Sequence, residues 1–226
     1  MKDKFKAIDI VLAILVFGSI WGLIEVVGGG ALKAWNVPIR PAILTGVGLG
    51  VMAILLSAYR RAWLLFAAPI IAMSVKQLVV PVLGLPVTCM ANGSLAVMLE
   101  GFALGGMAYA FAKPMRKSFK GRATVGFAGA FVGGTAFWAI GMKVAPCAYL
   151  MSFNSAAGLF SFMTHESLIW AALSALTVPL GFAIGEKVRD RIASVSEIKP
   201  ALYYSTAAAT IALCWGVSAA AIANGF

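Results

Sequence analysis

The chain reads as a series of long apolar runs separated by short polar, glycine or proline punctuation. Seven runs stand out, at 8–28, 41–59, 62–83, 92–112, 123–144, 166–185 and 201–223. Each holds roughly 20 residues, and at about 1.5 Å per helical residue that matches a hydrocarbon core of about 30 Å. Gly28-Gly29-Gly30 is expected to end the first run, and Pro41 suits the first turn of the second. Pro69 and Pro81 bend the third, with Ser74, Lys76 and Gln77 between them. Asn92 is a good N-cap for the fourth. The stretch 148–164 is apolar but studded with Gly, Ser and Asn. It is too broken for a further crossing and is expected to form a lid or re-entrant element. Glu166 then opens the sixth helix, where an acid suits the positive end of the dipole. Pro179 is expected to bend that helix before the 186–199 segment. The seventh run, Ala-rich and uncharged, predicts a packing or peripheral span.

Composition agrees with the pattern. Of 226 residues 62% are hydrophobic and only 12% charged, against about half and about a quarter in a soluble domain. Little is left for a soluble domain, so residues 1–226 are expected to form one all-α, polytopic bundle of six to seven transmembrane helices. The basic start leads into an apolar run with no convincing cleavage site, which makes that run a first span rather than a signal peptide.

The net charge of +10 does not point to nucleic acid, because the basic residues crowd short loops beside helix ends. One set of segments holds Lys2, Lys4 and Lys6; Arg60 and Arg61; Lys113, Arg116, Lys117, Lys120 and Arg122; and Lys187, Arg189, Arg191 and Lys199. The alternate loops hold only Lys33 and Arg40. This asymmetry predicts a cytoplasmic N-terminus and, for seven spans, an external C-terminus. The 113–122 loop also suits anionic membrane lipid or a cytoplasmic partner.

The remaining charges carry the functional expectation. Glu25, Lys76, Glu100, Lys143, His165 and Glu166 come from five runs, and all map to the outer half of the bilayer. Asp9, at the inner edge, has almost no company. An ionisable group within a span is costly and marks function by default. Mixed-sign groups at one depth imply a polar pocket open to the outside, with Trp21, Gln77, Asn92 and Ser94 available to line it. Structural ion pairs, Glu25 with Lys76 and Glu100 with Lys143, are the alternative, and the two readings can coexist. Because the polar groups do not continue to the inner face, channels and pumps are disfavoured.

Cys89, Met90, Cys147 and His165 fall near the same face. They leave three readings open: a soft-metal or corrinoid site, a Cys89–Cys147 disulfide, or plain thiols. Cys214 reads as a small apolar residue. A single histidine cannot supply bis-His haem ligation, and no P-loop, CxxC, HExxH or GxSxG is present. No cofactor is implied.

Trp21-Gly22-Leu23-Ile24-Glu25, then Lys76, then Asn92 followed by Glu100-Gly101 resembles the substrate-binding (S) components of energy-coupling-factor transporters, which show W-G-x-x-E, K and N-x(7)-E-G. The resemblance covers about residues 10–115. It implies a non-enzymatic membrane protein that captures a vitamin, a vitamin precursor or a metal species near the outer face. Such a protein works with a transmembrane scaffold and two cytoplasmic ATPases in the cell membrane. That family is usually six-span, and its first helix often docks the scaffold through Ala-x-x-x-Ala, for which only Gly18-x-x-x-Gly22 is comparable here. On this reading Glu25, Glu100, Lys76 and Lys143 pair the charges of the ligand. Trp21 packs on an apolar part of it, and 148–164 closes the site. From another class, a membrane-anchor subunit of a respiratory or redox complex would use the pocket for a quinone or lipid. An intramembrane enzyme with Glu100 and His165 as acid and base is a third reading.

Overall fold

The computed structural model describes residues 5–225. Lys2 and Lys4, counted above among the basic residues, lie outside them. Among the described residues seven helices are long and apolar enough to cross a membrane: α1 (Ala7–Ala34), α2 (Arg40–Tyr59), α3 (Leu64–Leu83), α4 (Val87–Ala110), α5 (Phe119–Val144), α6 (Ala156–Ile198) and α7 (Pro200–Ala223). No strand occurs among the described residues. The all-α polytopic bundle expected from the sequence is the fold.

Six helices close a ring in the order α1, α3, α4, α5, α6, α2, and α7 lies outside it against α1. Lipid tails give apolar side chains no reason to leave them, so helices in a bilayer associate through close backbone approach at small residues. The glycines mark those approaches. Gly18 and Gly22 of α1 face α3 so closely that a Cβ at Gly18 would stand 2.6 Å from the Ala68 carbonyl. The small-residue pair therefore serves packing within this chain. Gly46, Gly50 and Gly181 bring α2 and α6 together, and Thr177 of α6 donates to the Gly46 carbonyl. Gly129 and Gly133 seat α5 on the backbone of Leu104 and Glu100 in α4. Large apolar side chains such as Leu176, Leu180, Ile184 and Leu213 point outward, the arrangement a lipid environment requires.

As expected, α7 is peripheral. Trp215 donates to Ser19 of α1 at 2.9 Å, and Tyr204 donates to the buried Asp9 at 3.4 Å. Asp9 also accepts from the Lys6 backbone N–H at 2.9 Å, closing the first turn of α1.

Four expectations about helix ends are corrected. Gly28–Gly30 do not end α1, which passes through a π turn at Ile24–Gly28 and continues to Ala34. None of those glycines adopts positive φ, and a spanning helix tolerates glycine. Asn92 is not an N-cap, because a 3₁₀ turn at Val87–Met90 precedes it and places it inside the first α turn. The 148–164 stretch is not one element separate from the sixth helix. It forms a short helix at Ala148–Met151, and its second half becomes the start of α6. Glu166 accordingly lies within a helix, in a second π turn at Phe162–Ser167, and not at an N-terminus. Past Pro179, α6 continues through the 186–199 segment to Ile198. At 43 residues it is roughly 65 Å long, so it extends well beyond a hydrocarbon core.

Candidate functional site

At one end of the ring the helices part around a cavity of about 720 Å³, within the range of small-molecule sites. The C-terminal parts of α1, α3, α5 and α7 and the N-terminal parts of α2, α4 and α6 converge there. Four of the expected side chains line it: Glu25, Lys76, Asn92 and Glu100. Asn92, Ala96 and Glu100 are four residues apart on α4, so one stripe of that helix runs from mouth to floor.

Glu25 reaches the cavity from the π turn of α1. One extra residue per turn changes the rotational phase of the helix, and such turns recur at functional sites. The Glu25 carboxylate accepts from Trp21 Nε1 at 3.3 Å and from Lys76 Nζ at 2.8 Å. Both partners of the ion pair are nearly closed off, with 5% of the Glu25 side chain and 12% of the Lys76 side chain exposed. The expected Glu25–Lys76 pair is therefore present. Trp21 does not line the cavity. It is fully buried behind Glu25, wedged between Gly48 of α2 and Gly101 of α4, where any Cβ would collide with its ring or with Pro69. Its part is to position Glu25.

Glu100 is buried at the floor. One oxygen accepts from the Thr45 hydroxyl at 2.9 Å. That hydroxyl has one proton and also lies 2.9 Å from the Pro41 carbonyl, so its donation is shared. The other Glu100 oxygen has no partner, and neither has Oδ1 of Asn92. Nδ2 of Asn92 donates to Cys147 Sγ. Trp170, 2% exposed, also lines the cavity, and its indole N–H is unpartnered. An unsatisfied buried polar atom is rare and calls for an explanation.

The other expected residues fall outside the cavity. Lys143 is exposed at the end of α5, and the expected Glu100–Lys143 pair does not form. His165 is exposed and turns back on its own helix, with Nδ1 3.1 Å from the Ser161 carbonyl and 3.1 Å from Thr164 Oγ1. Gln77 donates to Ser94 at 2.8 Å behind the wall. Glu166 meets the site only through Tyr149, a lining residue. Tyr149 is part-exposed, and its hydroxyl donates to the Glu166 carboxylate. Burial first, then that hydrogen bond, pushes the phenol above its ordinary range. The three cysteines are free: Cys89 is exposed, Cys147 half-buried and Cys214 buried. Among the described residues no three His, Cys, Asp or Glu side chains gather as a metal would require. Cys89, Cys147 and His165 are thus not assembled into a soft-metal site.

Several lining residues escaped the sequence reading: Lys33, Arg40, Thr45, Phe137, Tyr149 and Trp170. Lys33 and Arg40 read as loop charges, and the extension of α1 to Ala34 is what carries Lys33 to the mouth. Thr45 carried a signal, as the only polar side chain between Arg40 and Ser57 in an otherwise apolar and glycine-rich helix. Trp170 carried none.

Below Glu100 the bundle closes. Trp21, Leu49, Met52 and Leu104 are fully buried there. Among the described residues the buried charged side chains are Glu25 and Glu100 at the cavity and Asp9 at the opposite end of α1. The cavity is a dead-end pocket.

No protein-family model, curated protein or solved structure gives a significant match to the chain.

Proposed function

We propose that this chain is the non-enzymatic substrate-binding component of a nutrient-uptake system, which captures a small molecule in the cavity between its helices. The observation that carries the reading is a pocket of about 720 Å³ lined by both signs of charge and closed below by apolar side chains. A channel or pump needs polar groups along the whole path, and a dead-end pocket suits capture. With the orientation that the basic loops favour, the mouth faces away from the cytoplasm. The ring of six helices, with α7 strapped outside, agrees with the six-span habit of the transporter components that the W-G-x-x-E, Lys76 and Glu100-Gly101 pattern resembles. A vitamin or vitamin precursor fits such a pocket better than a bare metal ion, since no cluster of ligating side chains lies among the described residues. Transport would then depend on a membrane scaffold and cytoplasmic ATPases. Gly18 and Gly22 are occupied by α3, so the face that meets the scaffold lies elsewhere on the chain.

The test is substrate binding by the purified protein and by its Glu100→Gln and Lys76→Met variants, together with uptake by cells that carry or lack the gene. Weakened binding in the variants and uptake that requires the gene support the reading. Full binding by both variants removes these residues from the site. Stable co-purification with redox subunits, without gene-dependent uptake, would favour a membrane anchor instead.

A further inference from the structure

The unpartnered atoms of the cavity form a pattern, and the pattern has a direction. At the floor, Glu100 offers a buried oxygen with no donor, and its second oxygen shares the one proton of Thr45 with a backbone carbonyl. The floor lacks hydrogen-bond donors. Lys76 donates to Glu25 at 2.8 Å and leaves the free Glu100 oxygen without a donor. At the mouth the balance is reversed. Arg40 and Lys33 line the opening, and neither has a carboxylate partner among the described residues. Arg40 opens α2 and Thr45 marks the level of Glu100 five residues further along. The two ends are therefore separated by about 8 Å at about 1.5 Å per residue. The same cavity is lined by three aromatic side chains, Phe137, Tyr149 and Trp170, the last with an unpartnered indole N–H.

Resting on the capture reading above, we propose that the substrate is an aromatic or similarly flat molecule with opposite ends. A hydrogen-bond-donating nitrogen, an amine or amidine, seats on Glu100. A carboxylate or phosphate is held at the mouth by Arg40 and Lys33. The flat body lies along the three aromatic rings. The free Glu100 oxygen, Arg40 and Lys33 then gain the partners they lack, and the Arg40 guanidinium presents the donor fork that suits an anionic oxygen pair. The reversed orientation would put an anion against a buried carboxylate and a cation against Arg40. Both contacts are repulsive, so the pocket selects against it.

The experiment uses the purified full chain and three matched probes: 4-(aminomethyl)benzoate, benzylamine and 4-methylbenzoate. Binding is read by intrinsic tryptophan fluorescence, and small molecules released from the purified protein are identified by mass spectrometry. Ala96→Trp, which fills the cavity, is the control for site occupancy. The zwitterionic probe is expected to bind about tenfold or more tighter than either singly charged one, the value of one charge-assisted hydrogen bond. Glu100→Gln should abolish its advantage over 4-methylbenzoate, and Arg40→Gln its advantage over benzylamine. Any released molecule should carry both a basic nitrogen and an acid. If 4-methylbenzoate binds as well as the zwitterion, or Glu100→Gln leaves the ranking unchanged while Ala96→Trp abolishes binding, the assigned polarity is wrong and capture stands. If no probe binds and nothing is released, the capture reading falls as well.

Discussion

Removing Lys76 should destabilise the bundle far more than removing Glu25 together with it. The pair is 2.8 Å long and nearly closed off. At an effective dielectric constant of about 20 its Coulomb attraction is about 6 kcal/mol. Taking two ions out of water costs several kcal/mol each, so the pair as a whole contributes little net stability. Lys76→Met deletes the attraction and leaves the Glu25 carboxylate buried, with only the Trp21 N–H beside it. A lone buried charge costs about 3–5 kcal/mol. The Trp21 bond and access to the cavity bring the expected loss to the lower end, about 3 kcal/mol. Glu25→Gln should lose less. It can still accept from Trp21, and the freed ammonium can turn into the cavity, which it already lines. The double variant Glu25→Gln/Lys76→Met should recover most of the loss. Reversible unfolding in mixed micelles, run as a double-mutant cycle, measures all three. A loss below about 1 kcal/mol for Lys76→Met, or no recovery in the double variant, would show that the pair is solvated and refute this account of α1 and α3.

Gly48→Val should destabilise by roughly 1–3 kcal/mol through overpacking, because its side chain would enter the space of the Trp21 ring; altered near-ultraviolet circular dichroism would show Trp21 displaced. Arg122→Ala should cost roughly 1–2 kcal/mol, since it also removes a 3.1 Å donation from Arg122 Nε to the Met115 carbonyl, and leave ligand binding unchanged. Its ion pair with Glu186 is 3.2 Å long and part-exposed, and its guanidinium lies 4.2 Å from the Phe182 ring centre, far from the cavity. Thiol labelling should modify Cys89 fast, Cys147 more slowly and Cys214 only on unfolding, with no change in mobility on adding reductant; equal rates for all three would contradict the burial pattern.

The spans and the Glu25–Lys76–Glu100 core of the site were legible because a membrane makes both signals loud. An apolar run of about 20 residues has few other uses, and a charge within one must find a partner. Depth was legible, and rotation about each helix axis was not. Lys143 lies six residues beyond the lining Phe137, about 9 Å further along α5 and roughly 120° around it, on another face. His165 misses the cavity because the π turn at Phe162–Ser167 resets the phase of α6, and no residue pattern announces that turn. The first π turn misled in the other direction. Three successive glycines looked like a stop, whereas continuation of the helix carries Lys33 to the mouth. Glu100, Ala96 and Asn92 could be placed together because a plain α-helix keeps positions four apart on one face.

Native mass spectrometry of the intact protein, wild type beside Ala96→Trp and Glu100→Gln, tests most directly whether this cavity holds a small molecule. The account predicts a small-molecule adduct on the wild type, none on Ala96→Trp and a weakened one on Glu100→Gln. An adduct of equal occupancy on all three, or on none, would contradict it.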